Sequence, residues 1–226
     1  MERPAGDGPA PATSRLREVT FEGPVGTLEG LLQERDDRDH ALTAVVCHPH
    51  PLHGGTLHNK VAHRVASVLH GLGAAVLRFN FRGVGGSAGT FDRGAGELDD
   101  ARAALRWMEA RYPGVRRVLA GFSFGSWVAA RLAAVEPWIE HVILVAPPVA
   151  TADFSAMRTS PVPKLVIQGT LDHICPLAAM ELEFPAWSGP KRLERVDGAT
   201  HFFDRRLAAL ANALRVGLGH DPEQGG

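Results

Sequence analysis

The chain has only two cysteines, Cys47 and Cys175, in 226 residues. A single pair cannot make a disulfide framework, and such sparse cysteine points to a reducing, cytoplasmic setting. No apolar run approaches the ~20 residues that a membrane span needs. The opening segment, MERPAGDGPAPATS, lacks the apolar core of a signal peptide. A charge excess of one sign is missing too. Against 25 acidic residues stand 24 basic ones, a net charge of −1 with neutral histidine. That excludes the broad basic field of a nucleic-acid binder. Lysine is confined to Lys60, Lys164 and Lys191, so arginine carries nearly all the positive charge. What remains is an ordinary globular composition, 45% hydrophobic and 22% charged. The length suffices for one core and is too short for two large domains.

Residues 1–14, rich in proline and glycine, and residues 219–226 are expected to be disordered tails. One domain fills 15–218. Its apolar patterning alternates strands and helices. Strands are expected at 17–23, 27–34, 41–47, 74–80, 116–122, 141–147, 163–169 and 191–196. Helices are expected at 58–71, 97–111, 125–135, 176–184 and 203–218. The first two strands flank Pro24-Val25-Gly26, a turn signal that suggests an antiparallel hairpin. The rest predict an α/β fold: a mostly parallel twisted sheet with helices on both faces.

The chemistry centres on Gly121-Phe122-Ser123-Phe124-Gly125, between a strand and a helix. With 8 serines and 25 glycines, chance supplies roughly 0.1 such patterns, so context carries the argument. A sharp strand-to-helix turn exposes a serine hydroxyl, and glycines on either side let the two arms pass closely. A serine nucleophile needs a base, and the base an orienting acid. Both follow in order after strand ends, Asp172 after LVIQG and His201 after RLERV. Open α/β sheets bind ligands at the carboxyl ends of their strands, so the three side chains converge on one edge. Asp197 and Asp204 are rival carboxylates, and Ser126 a rival serine one turn into the helix.

An oxyanion needs two N–H donors. Phe124, following the nucleophile, supplies one. The other comes from the loop 48–55, where Pro49 and Pro51 have no N–H. His50 and Leu52 remain, and Leu52 is the preferred choice. His48, His50, His53, His58 and His63 crowd this region, but no acidic ligand accompanies them and two prolines restrict the loop, so no metal site is expected. The glycine-rich run 82–87 lacks the Gly-Lys-Ser/Thr ending of a phosphate loop and reads as a loop flanking the pocket.

Several segments together carry a family resemblance. They are His48-Pro49-His50-Pro51 with His53-Gly54-Gly55, Asn59-Lys60, Arg78-Phe79-Asn80-Phe81-Arg82-Gly83-Val84-Gly85, Gly96-Glu97-Leu98-Asp99-Asp100, the serine pentad, and Thr200-His201-Phe202-Phe203. Over nearly its whole ordered length the chain resembles the α/β-hydrolase superfamily, and more narrowly a group of small bacterial serine hydrolases without a lid. The resemblance implies carboxylesterase activity on short acyl esters, with Ser123 as nucleophile, Asp172 as orienting acid and His201 as base. It leaves Arg82 and Asp99-Asp100 as structural or pocket-shaping residues. Caps in this fold commonly insert after the sixth strand, where about 16 residues cannot house several helices. An open, shallow site for a small-molecule ester is therefore expected, lined by His50, Phe124, Trp127, Pro148, Phe154 and Phe202. No cofactor, nucleic acid or membrane is expected, and the chain acts as a monomer or a homodimer. A thioesterase, amidase or acyltransferase would use the same triad, and a non-catalytic binding protein the same fold.

Overall fold

A computed structural model describes residues 13–36 and 40–220. The tails expected at 1–14 and 219–226 lie mostly outside the described residues. Ser14, assigned to the first tail, instead opens the first strand.

β1 (Ser14–Gly23) and β2 (Gly26–Arg35) form the antiparallel hairpin, closed by Gly26 at φ +125. The chain continues through β3 (Leu42–Cys47), α1 (Lys60–Gly71), β4 (Ala74–Phe79), α2 (Ala95–Arg111) and β5 (Arg116–Phe122). Then come α3 (Phe124–Val135), β6 (His141–Val145), β7 (Lys164–Gly169), α4 (Leu177–Glu183), β8 (Lys191–Val196) and α5 (Leu207–Gly217). The strands join in one sheet of order β1-β2-β4-β3-β5-β6-β7-β8. Pairing is antiparallel through β2–β4 and parallel from there to β8. The N-terminal hairpin and β8 are thus the sheet edges.

Helices cover both faces, so the central strands are buried along nearly their whole length and not alternating. β4 is buried along its whole length. Ala75, Leu77 and Phe79 pack toward α2 and α3, whereas Ala74 and Val76 pack toward α1 and α5. Burying each large side chain contributes about 1.5–3 kcal/mol.

Helix starts shift from the expected positions, and two of the shifts have a local cause. Helix α1 begins at Lys60 because the Asn59 carboxamide accepts from the Val61 and Ala62 N–H groups at 2.9 and 3.3 Å and caps it. Helix α5 begins at Leu207, not 203. Phe203 and Arg205 take left-handed φ values of 52° and 58°, as the chain turns Phe203 into the core straight after His201. Between β6 and β7 lies one short 3-10 turn, Ser155–Arg158, and no cap domain. Among the described residues no helix is long and apolar enough to cross a membrane.

Candidate active site

Three strand ends deliver the three expected side chains. Ser123 sits between β5 and α3 with φ 54° and ψ −120°, a left-handed conformation costing on the order of 1–3 kcal/mol. The close packing around it explains the flanking glycines. A Cβ on Gly121 would lie 2.1 Å from the Gly125 carbonyl oxygen, and one on Gly125 would lie 2.4 Å from that of Cys47. The Ser123 N–H donates to the Val145 carbonyl at 2.9 Å, which fixes the elbow to β6. Ser126, the rival serine, donates its hydroxyl to the Ser123 carbonyl at 2.6 Å and is buried.

The Ser123 hydroxyl lies 3.1 Å from His201 Nε2, and His201 Nδ1 lies 2.8 Å from Asp172 Oδ2. A carboxylate only accepts, so Nδ1 carries the proton and the Nε2 lone pair faces the serine hydroxyl. Asp172 is itself held by its surroundings. Its Oδ1 accepts from the Ile174 and Cys175 N–H groups at 2.9 and 2.8 Å, and its Oδ2 accepts also from Gln168 Nε2 at 3.0 Å. The rival carboxylates are engaged elsewhere, Asp197 with the Thr170 hydroxyl and Asp204 with Lys60. The His201 ring lies against Phe122 and Phe202, centroids 5.0 and 5.1 Å away.

The oxyanion side requires a correction. The Leu52 N–H donates to His50 Nδ1 at 3.2 Å, so it is committed, and the Leu52 side chain is 68% exposed. Among the described residues, no protein acceptor takes the N–H of His50 or of Phe124. Phe124 opens α3, where the first N–H groups have no intrahelical partner. The His50 and Phe124 rings are neighbours, with centroids 5.0 Å apart.

Within the histidine cluster, His48 serves as scaffold for this loop. The buried Phe81 N–H donates to His48 Nε2 at 3.1 Å, so Nδ1 bears the proton and donates to the Pro49 carbonyl at 2.6 Å. Both ring nitrogens are thus engaged, and burial pushes the His48 pKa down to about 4, which keeps the ring neutral. His50 stacks on His53 at 4.3 Å. Around this loop, Arg78 Nη1 donates to the Leu57 carbonyl and the Leu57 N–H to Asn80 Oδ1, both at 2.7 Å. Next along the chain, Arg82 pairs with the fully buried Asp100 at 2.7 Å and so ties the loop to α2. Asp99 instead pairs at the surface with Arg102. The ligand atoms of Asp172, Cys175 and His201 lie within 4.8 Å of one another, a grouping typical of metal ligands. Here burial raises the Cys175 thiol to about 12, which keeps it protonated, and the facing lone pairs of Asp172 accept protein hydrogen bonds.

A cleft of about 580 Å³ opens at Ser123. His50 and Trp127 line it as expected. Phe154 and Phe202 do not. Phe154 is 3% exposed and stacks on Trp187 at 5.7 Å, in the core. Phe202 lies behind His201, against Phe122. Pro148 and Phe124 also line it as expected, and in place of the other two stand Phe91 and Arg93, from the loop after the glycine-rich run, and Ile174. The sequence signal for Phe91 and Arg93 is the glycine-rich run just before them, read as a loop flanking the pocket.

Sheet order, elbow serine and the Ser–His–Asp chain define a hydrolase framework on an α/β sheet. A family model described as serine aminopeptidase, S33, matches residues 50–159, a span that holds Ser123 but ends before Asp172 and His201. An uncharacterized protein of Rickettsia prowazekii is 37% identical over 208 residues, 88% of this chain and 87% of that one. An α/β serine hydrolase homologue from Coxiella burnetii superposes with a TM-score of 0.85 at 39% identity, covering 89% of this chain and 97% of its own. A serine hydrolase without a lid from Xanthomonas campestris gives 0.83 at 40% identity, covering 90% and 94%. The chain belongs to the α/β-hydrolase superfamily, among its lidless serine hydrolases.

Proposed function

We propose that the protein is a carboxylesterase that cleaves small, short-chain esters through an acyl-enzyme on Ser123. The observation that carries this reading is the unbroken chain Ser123–His201–Asp172, whose serine lines an open cleft. His201 accepts the Ser123 proton as Oγ attacks the acyl carbonyl, and Asp172 steadies the imidazolium. The tetrahedral oxyanion is met by the N–H groups of Phe124 and His50, helped by the positive end of α3. Collapse expels the alcohol, protonated by His201. Water, activated by the same ring, then releases the acid. Without a lid the site stays wet, which suits small soluble substrates over long chains.

The His50 assignment has its own test. His50 has φ −53°, which proline can adopt. His50→Pro removes the N–H and is expected to lower kcat by about 10²–10³, the usual cost of one oxyanion donor. His50→Ala keeps the N–H and loses the ring alone, so it falls less. Equal losses in the two variants would return the assignment to the loop beyond.

The name of the matching family favours one second reading, an amide-cleaving enzyme. Rates on 4-nitrophenyl acetate, an acetyl thioester and alanine 4-nitroanilide separate the two. The ester reading expects the acetate to be the best substrate by kcat/KM, with a burst of nitrophenol equal to the enzyme present. An anilide turned over faster than the ester would establish the second reading instead.

A further inference from the structure

We propose that Arg93 is a specificity-determining residue and that the natural substrate carries an anionic group, a carboxylate or phosphate, joined to a flat apolar portion. This rests on the hydrolase reading above and names its substrate class.

One wall of the cleft is a continuous aromatic lattice. His50 lies 4.9 Å from Phe91 and 5.0 Å from Phe124, and Phe124 lies 5.7 Å from Trp127, centroid to centroid. Trp127 is fixed. Its Nε1 donates to the Asp153 carbonyl at 2.9 Å, and its ring fills the space where a Cβ on Gly94 would sit. Such a wall receives a planar or apolar group.

Arg93 borders the same cleft. Its backbone is left-handed, φ 52°, followed by Gly94 at 92°. The buried Glu97 holds that shape by accepting from the Asp92 and Gly94 N–H groups at 2.9 and 2.6 Å. The turn held this way presents Arg93 at the rim of the cleft. Among the described residues, no carboxylate pairs with its guanidinium. Asp92, its neighbour in sequence, faces Arg82 at 4.0 Å. Asp153, the other acid at the cleft, accepts the Ser155 N–H at 2.8 Å and has Arg131 and Arg158 as its cationic neighbours. The remaining titratable groups at the cleft offer no negative charge. His50 is held below its ordinary value by burial and by His53, and Cys175 is a protonated thiol. The cleft thus presents an uncompensated, fork-shaped donor beside an aromatic wall, the geometry that recognises an oxyanion group.

Two matched pairs test this: phenyl acetate against 4-acetoxybenzoate, and methyl benzoate against monomethyl terephthalate. The readout is the ratio of kcat/KM for the anionic ester to that for the neutral one. Intrinsic differences in reactivity cancel when wild type is compared with Arg93→Gln. That variant is expected to lower the ratio about tenfold in at least one pair, as befits a charged contact near the surface. Arg93→Lys should fall between. Ratios unchanged in both pairs would overturn the proposal. Benzoate titrated calorimetrically into Ser123→Ala and into Ser123→Ala with Arg93→Gln gives a readout independent of turnover. About tenfold weaker binding in the second supports Arg93, and equal binding overturns it. If wild type hydrolysed none of the esters, the esterase reading would fail, and the titration alone would decide Arg93.

Discussion

Ser123→Ala should abolish nearly all turnover, lowering kcat by roughly 10⁵–10⁶, the scale seen when a nucleophile of this kind is removed. The fold should not notice. Alanine keeps the Cβ, so the elbow at φ 54° is as strained as before and no more. The hydroxyl's one protein partner among the described residues is His201 Nε2, a partly buried contact whose loss changes stability by about 1 kcal/mol. The backbone contacts of the elbow, to Val145 and from Ser126, involve main-chain atoms that the substitution leaves in place. Thermal unfolding together with ester turnover checks this. A variant that retains a tenth of wild-type activity would show that chemistry runs elsewhere.

Asp172→Asn should cost about 10⁴ in kcat through one changed proton. Donors surround the carboxylate: Ile174 N–H and Cys175 N–H on Oδ1, Gln168 Nε2 and His201 Nδ1 on Oδ2. An asparagine that keeps its oxygen toward the two backbone N–H groups turns its NH₂ toward His201. The ring must then present Nδ1 as acceptor and move its proton to Nε2, where it faces the Ser123 hydroxyl and can no longer take the proton. The same NH₂ meets Gln168 donor to donor. Stability should therefore fall as well, by about 1–3 kcal/mol, the cost of an unsatisfied buried group. A variant within tenfold of wild type in kcat/KM would mean that Asp172 does not set the tautomer.

Strands buried on both faces, such as β4 and β7, are short apolar runs and are legible as such. The positions of Ser123, Asp172 and His201 follow from strand ends in the right order, and the structure brings these side chains within hydrogen-bond reach. The sequence narrows the second N–H to His50 or Leu52, and the choice between them is not legible there. It depends on the His50 imidazole folding back to capture the Leu52 N–H, a contact that leaves no periodic trace. Phe154 and Phe202 misled for a related reason. Aromatic residues near a site serve core and cleft alike, and only the packing of Phe154 on Trp187 separates the two. The Arg82–Asp100 pair bridges 18 positions and explains Asp100 as scaffold, which spacing alone could not do.

The central claim is that Ser123 is an activated nucleophile in the free protein. Intact mass after incubation with an alkyl fluorophosphonate tests it most directly, on wild type and on Ser123→Ala. The account predicts one phosphonyl adduct per wild-type chain and none on the variant. An unmodified, folded wild type, or equal labelling of the two proteins, would contradict it.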